Sequence, residues 1–333
     1  MQPLAITVVG AGITGLWQAL TLAGRGHRVR LVEQSAEPFA GAASAFAGAM
    51  LGPYCETEPT APVIRDLGLR SMALWRTHFP GTVLEGTLVL AAPRDKSEIE
   101  HFARHTEGYE RVDAAAIARL EPDLDGRFTS GLFYPDEGHV PPLEAMRFLL
   151  AEARRAGVEA TFGAPWLDAG GGAETIIDCR GLGARDALPD LRGVRGERIV
   201  VRTREIVLRR PVRLRHPRHP LYVVPWGDGR FMLGASVIES EEAGPVSVRS
   251  ALELLGMAYA LHPAFGEAEI VDMGAGVRPA FPDNVPKIVV RGRTLHVNGL
   301  YRHGFLLAPV LAELTAAYLD SGAIDNRVFV VGA

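Results

Sequence analysis

Cysteine is scarce: Cys55 and Cys179 are the two in 333 residues, with no second Cys or His at ligand spacing beside either. That usage argues against a disulfide-built scaffold and a zinc site, and makes a reducing cytoplasm the expected compartment. Long apolar runs are missing too. None reaches the roughly 18 residues a membrane span needs, so no membrane partner is expected. Charge of one sign is not in excess, since 35 Lys and Arg against 39 Asp and Glu leave a formal net charge of −4. Nothing in that balance points to nucleic acid as a whole-chain partner. The apolar start has no basic flank of the kind a secretory signal carries. His101 and His105 stand at i, i+4 on a polar stretch, but Phe102 follows His101 where a zinc-protease motif has Glu. A solvated helix face accounts for them, and no metal is expected.

What is abundant is glycine at meaningful places. Ala5–Val9 is a short, β-branched apolar run, the pattern of a buried parallel strand. Gly10-Ala11-Gly12-Ile13-Thr14-Gly15 follows, then a helical pattern from Leu16 to about Gly24, then a strand Val29–Val32 ending in Glu33 and Gln34. In such a unit Gly10 makes the tight turn, Gly12 admits a pyrophosphate against the backbone, and Gly15 lets helix and strand pack closely. The helix N-terminus offers amides and a positive dipole end to phosphate. Glu33 stands where an acid binds a ribose 2′-hydroxyl, which argues against a 2′-phosphate. A dinucleotide is therefore expected.

Residues 41–52, GAASAFAGAMLG, are nearly all small, and fit either close helix packing or a bound ring. Helices are expected over 61–79, 96–106, 112–120, 143–156, 248–261 and 310–319. Pro142 suits a first helical position and Ser247 an N-cap. Pro309 reads as the entry to the last helix. A second strand-to-glycine turn runs through Thr175–Asp178 into Gly181 and Gly183. Strands at 198–208, 222–225 and 231–237 predict an antiparallel sheet, hence a second domain. Ten arginines fall between Arg192 and Arg218; a solvated sheet face explains them better than an RNA surface does.

Taken together, VVGAGITG with Glu33, GAASAFAGAMLG, PDEGHVPP, CRGLGAR, VRGE, YVVP with GRFMLGAS, GVRP and NGLYRHGFLLAP resemble the D-amino-acid oxidase family of flavoenzymes. Within it the likeness is greatest to the glycine oxidases of thiamine biosynthesis, over roughly residues 5 to 320. The resemblance implies a mixed α/β fold, with a Rossmann-like FAD-binding domain assembled from 1–85, 140–192 and 272–333. An antiparallel-sheet substrate domain would then comprise 86–139 and 193–271. It implies FAD held noncovalently by Gly10, Gly12, Ile13, Thr14, Gly15, Glu33, Gln34, Ser44, Ala47, Gly48, Met50, Gly181, Gly183, His303, Gly304, Phe305 and Leu306. Arg278 and Tyr222 match the family's carboxylate-binding pair, and Arg302 a second arginine near the ring.

The activity implied is oxidative deamination of glycine, sarcosine or a small D-amino acid, by hydride transfer from Cα to flavin N5. Oxygen would be the acceptor, and 2-oxo acid, ammonia and hydrogen peroxide the products. A planar guanidinium binds a carboxylate in bidentate fashion, which fixes the rotation of a Cα–H. Two other readings stand beside it. One is a same-fold amino-acid or 2-hydroxy-acid dehydrogenase that reduces a quinone or protein; the other is a flavoprotein acting with tRNA. A homo-oligomer is expected from the resemblance alone.

Overall fold

The computed structural model describes residues 2–56, 62–166 and 174–332. Among these, two large sheets organise the chain, and neither is built from consecutive sequence. The first has seven strands in the order Phe329–Val331, Lys287–Arg291, Thr294–Asn298, Thr175–Asp178, Ala5–Val9, Arg28–Glu33, Glu159–Phe162. Its centre is parallel: Ala5–Val9 pairs with Arg28–Glu33 on one side and with Thr175–Asp178 on the other. Both glycine turns foreseen from the sequence thus leave adjacent strands at the same sheet edge. The helix Ile13–Gly24 buries Leu16, Trp17, Ala19 and Leu22, so it is covered by other helices rather than amphipathic. One tie is polar and buried: Gln18 Nε2 donates to Thr315 Oγ1 at 3.1 Å, joining the first helix to the last.

The second sheet has eight strands, in the order Glu269–Ala280, Arg192–Arg202, Arg230–Gly234, Leu221–Pro225, Val212–Arg215, Thr87–Ala91, Ser130–Tyr134, Glu110–Asp113. It is antiparallel except that Val212–Arg215 runs parallel to Thr87–Ala91. The helix Val248–Leu261 packs Leu254, Ala258 and Leu261 into its core, and the Ser247 side chain caps that helix by accepting from the Ser250 amide. A mixed α/β architecture, with one sheet parallel at its centre and a second, mainly antiparallel sheet, is the result.

Several local expectations need correction. Val112 and Asp113 end a strand, and the helix starts at Ala114, capped by the Asp113 carboxylate. The strand expected at 198–208 spans Arg192–Arg202 instead. The stretch 133–142, whose Pro, Gly and Asp content reads as turn-rich, contains the end of the strand Ser130–Tyr134 and the short strand Gly138–His139. Ala61, the expected start of the second helix, lies outside the described residues, and the helix is described from Pro62 to His78.

Two corrections reach further. The last helix does not begin after Pro309 but at Gly304, and it runs to Ser321 with Pro309 inside it. Proline removes the N–H that would bond to the carbonyl four residues earlier, Phe305. The Trp75 indole N–H donates to that carbonyl at 2.7 Å, so the helix continues. The arginine-rich stretch, in turn, is a solvated face only in part: Arg202, Arg204, Arg209 and Arg218 are exposed, but four others are not. Arg195, Arg198, Arg210 and Arg213 are all buried, and each has a carboxylate partner: Glu197 at 2.6 Å, Asp272 at 2.7 Å, Glu121 at 2.9 Å, and Glu56. Burial of a charge demands such pairing.

Candidate functional site

Between the two sheets lies a cavity of about 670 Å³ that residues of both sheets line. Two helix N-termini meet in it, one from each end of the chain. The first belongs to Ile13–Gly24, whose N-cap is Gly12. Ser44 Oγ accepts from the Ile13 amide at 3.2 Å, while the Thr14 and Gly15 amides have no acceptor among the described residues. The second belongs to Gly304–Ser321, which starts without a side-chain cap. A Cβ on Gly304 would lie 3.5 Å from Ile13 Cγ2, so the two ends are neighbours. Amides at a helix start favour electron-rich groups and phosphate.

The glycines are there for room. Gly10 has φ +96°, and a Cβ on it would sit 2.7 Å from the Cys179 carbonyl oxygen. A Cβ on Gly15 would fall on the Gly10 carbonyl. Glu33 closes the turn by accepting from the Ala11 amide at 2.7 Å and the Ser35 amide at 2.9 Å. On the neighbouring strand, Asn298 donates to the Gly181 carbonyl at 2.8 Å and accepts from the Gly299 amide at 2.8 Å. That one side chain ties the Gly181 turn to the loop carrying Tyr301, Arg302 and His303. Non-glycine residues at positive φ also stand in the cavity wall, Ala49 at +53° and Tyr301 at +51°. Backbone held in that region implies surroundings that over-determine it.

Of the residues expected to hold a cofactor, Gly10, Gly12, Ile13, Thr14, Glu33, Gln34, Ser44, Ala47, Gly48, Met50, Gly181, Gly183, His303, Gly304, Phe305 and Leu306 all line the cavity. Gly15 does not; it packs behind the turn, against Gly10. Cys179 lines the cavity beside Gly10, and burial pushes its thiol pKa well up, keeping it protonated. His303 is buried with neither ring nitrogen hydrogen-bonded among the described residues. Burial, with help from Arg302 and Arg213, pushes its pKa down to about 4, so the ring is neutral at pH 7. An orphaned imidazole, two helix starts side by side and a glycine cradle fit a large ligand with phosphates at one end and a polar ring at the other.

The three expected substrate residues line the same cavity. Tyr222 rests between two glycines: a Cβ on Gly234 would be 2.6 Å from its Cε2, and one on Gly48 3.0 Å. Arg278 comes from the strand Glu269–Ala280, whose partner strand places Gly196 opposite Gly276. A Cβ on Gly196 would fall on the Arg278 guanidinium, so that glycine makes the arginine's berth. Arg278 Nη1 donates to the Ser236 carbonyl at 3.3 Å, and no carboxylate among the described residues forms an ion pair with it. Burial lowers its pKa, and Arg302 adds to that by repulsion. A guanidinium nevertheless stays charged in a protein.

Arg302 differs, because its Nε lies 3.8 Å from Glu56 Oε2. Sequence reasoning missed Glu56, Gly196 and Asn298. Glu56 sits in CETEP, where no spacing marks it, and Gly196 sits inside a strand without a turn signal. Asn298 opens NGLYRHG, but its bridge to Gly181 spans 117 positions.

With the geometry given, the likeness to known proteins can be stated. Residues 5–318 match the family model described as FAD dependent oxidoreductase, DAO. A Rhizobium etli protein provisionally named thiamine biosynthesis oxidoreductase ThiO is 49% identical over 327 residues, covering 97% of this chain and 99% of that protein. The glycine oxidase of Geobacillus kaustophilus is 27% identical over 354 residues, covering 95% and 92%. A crystal structure of glycine oxidase from Geobacillus kaustophilus superposes with a TM-score of 0.81 at 24% identity, covering 96% of this chain and 95% of that one. That superposition speaks for the fold.

Proposed function

The chain belongs to the DAO family of FAD-dependent oxidoreductases, and from that premise we propose that it oxidatively deaminates a small amino acid, glycine first, with sarcosine and small D-amino acids as the nearest alternatives. Water and oxygen are consumed, and a 2-oxo acid, hydrogen peroxide and ammonia (methylamine from sarcosine) leave. Bound FAD, held noncovalently, supplies the two-electron acceptor that side chains lack. The seven-stranded sheet carries the cofactor in this reading, and the eight-stranded sheet carries the substrate residues.

One observation supports the substrate class above all others: Arg278 stands in the cavity wall without a carboxylate partner among the described residues. A desolvated cation lacking a counter-ion is costly, and a substrate carboxylate relieves that cost on binding. Tyr222, wedged between Gly48 and Gly234, donates its hydroxyl to the same carboxylate. Arg302 is already engaged by Glu56 and shapes the neighbouring wall. Two-point capture of the carboxylate fixes the rotation of Cα and aims its C–H at the cofactor. The amine reacts in its neutral form, so no side chain of the site is asked to act as a general base. His303, neutral at pH 7, presents a polar ring without adding positive charge beside Arg302 and Arg213.

The two free, buried cysteines suit a cytoplasmic protein. Aerobic turnover of glycine tests the reading, by measuring glyoxylate, ammonia and peroxide together. Equal yields of the three support it; glyoxylate without peroxide would transfer the same site to a dehydrogenase with another acceptor.

A further inference from the structure

The cavity holds a buried acid that substrate capture as described leaves unexplained. Glu56 is 6% exposed and lines the same cavity as Arg278 and Tyr222. Its Oε1 accepts from Arg213 Nη2, and its Oε2 lies 3.8 Å from both Arg302 Nε and His303 Nδ1. Burial raises its pKa, but Arg302, Arg213 and His303 outweigh that and hold the carboxyl well below the usual range. At neutral pH Glu56 is therefore a fixed anion in the cavity wall.

Apart from Arg180, which pairs with Asp178 and Asp186, the arginines lining the cavity are Arg278 and Arg302, which repel one another. One carboxylate balances Arg278. The other cation is already balanced by Glu56. We infer that Glu56 restricts the site to substrates with a single carboxylate, by engaging the arginine that a second carboxylate would otherwise take. This rests on the reading of Arg278 as the carboxylate site. A dicarboxylic amino acid brings its second anion toward Arg302 and meets Glu56 there, in a place where water cannot screen the repulsion. Neutralising Glu56 at constant shape frees Arg302 and opens the site to dicarboxylates. Arg213 would not be stranded, because the buried Glu137 is close by and acts on its charge: a Cβ on Gly52 would lie 3.1 Å from Glu137 Oε2 and 3.5 Å from Arg213 Nη2.

Binding of acetate and of malonate to the FAD-loaded protein, followed by calorimetry, tests the inference without turnover. The wild type should bind malonate at least about tenfold more weakly than acetate. Glu56→Gln should tighten malonate by about tenfold or more relative to acetate, and Glu56→Asp should keep the wild-type preference. The gain should vanish in Glu56→Gln/Arg302→Leu, since Arg302 is the group set free. Equal affinity of the wild type for the two anions overturns the inference, and needs no variant to fold. So does an unchanged preference in a Glu56→Gln protein that retains its FAD and circular dichroism, or a gain that survives the loss of Arg302. Acetate binding that is absent, or indifferent to Arg278→Leu, overturns the reading of Arg278 and this inference with it. Acetate binding that requires Arg278, beside equal malonate affinity, overturns the role of Glu56 alone.

Discussion

Arg278 is usable because of a residue that does nothing chemical. Gly196 leaves the space its guanidinium occupies, and the two belong to strands paired by backbone alone. Gly196→Ala should displace the guanidinium and lower kcat/KM for glycine by at least about tenfold. FAD content should stay unchanged, because Gly196 has ordinary negative φ and forms no part of the phosphate turn. Arg278→Leu should cost more, about a hundredfold in KM, the scale of a lost charge-assisted pair. Steady-state kinetics on both variants compare the two directly; wild-type KM in Arg278→Leu would remove the carboxylate clamp from the account. At this scale the sequence was only partly legible. Arg278 and Tyr222 stand out through GVRP and YVVP. The buried arginines in and beside the second sheet do not, because most of their partners are remote: Arg210 pairs with Glu121 across 89 positions and Arg213 with Glu56 across 157, and only Arg195 has a near one, Glu197. A run of arginines in a strand looks like a wet face until those acids are in place.

Among the elements, the opening strand–turn–helix–strand was read correctly because each of its requirements is local. Gly15→Ala puts a Cβ onto the Gly10 carbonyl and should yield protein that fails to retain FAD, seen as loss of visible absorbance after gel filtration. The last helix misled for the opposite reason. Proline is a sound local signal for a helix start, yet Trp75, 230 positions away, takes over the carbonyl that Pro309 orphans. Trp75→Phe leaves that buried carbonyl unsatisfied and should cost about 1–3 kcal/mol, read as a lowered denaturation midpoint. Trp75→Phe/Pro309→Ala should recover part of the loss, since an alanine N–H can reach Phe305. Additive losses in the pair would argue against this explanation of the continuous helix.

For the whole molecule, the cavity exists because two sheets from interleaved segments close on it, and burial there and nearby sets the response to acid. Burial pushes His139 down to about 4, as it does His303. Unfolded, each takes up a proton near its ordinary pKa of about 6.5, which the folded chain refuses until about pH 4. Their contribution to stability is therefore full above about pH 6.5 and is lost as pH falls toward 4. The melting temperature should drop between pH 7 and 5, and less steeply in His139→Gln; parallel slopes would contradict that assignment. Composition reads as an ordinary globular chain, and the glycine turns point to one wall of the cavity, but the closing of one sheet over the other is a long-range result. The decisive measurement is anaerobic mixing of the FAD-loaded protein with glycine, sarcosine and D-alanine while the visible absorbance of the flavin is followed. The account predicts bleaching by at least one of them, fast in the wild type and nearly abolished in Arg278→Leu. A yellow protein that none of the three bleaches would contradict it.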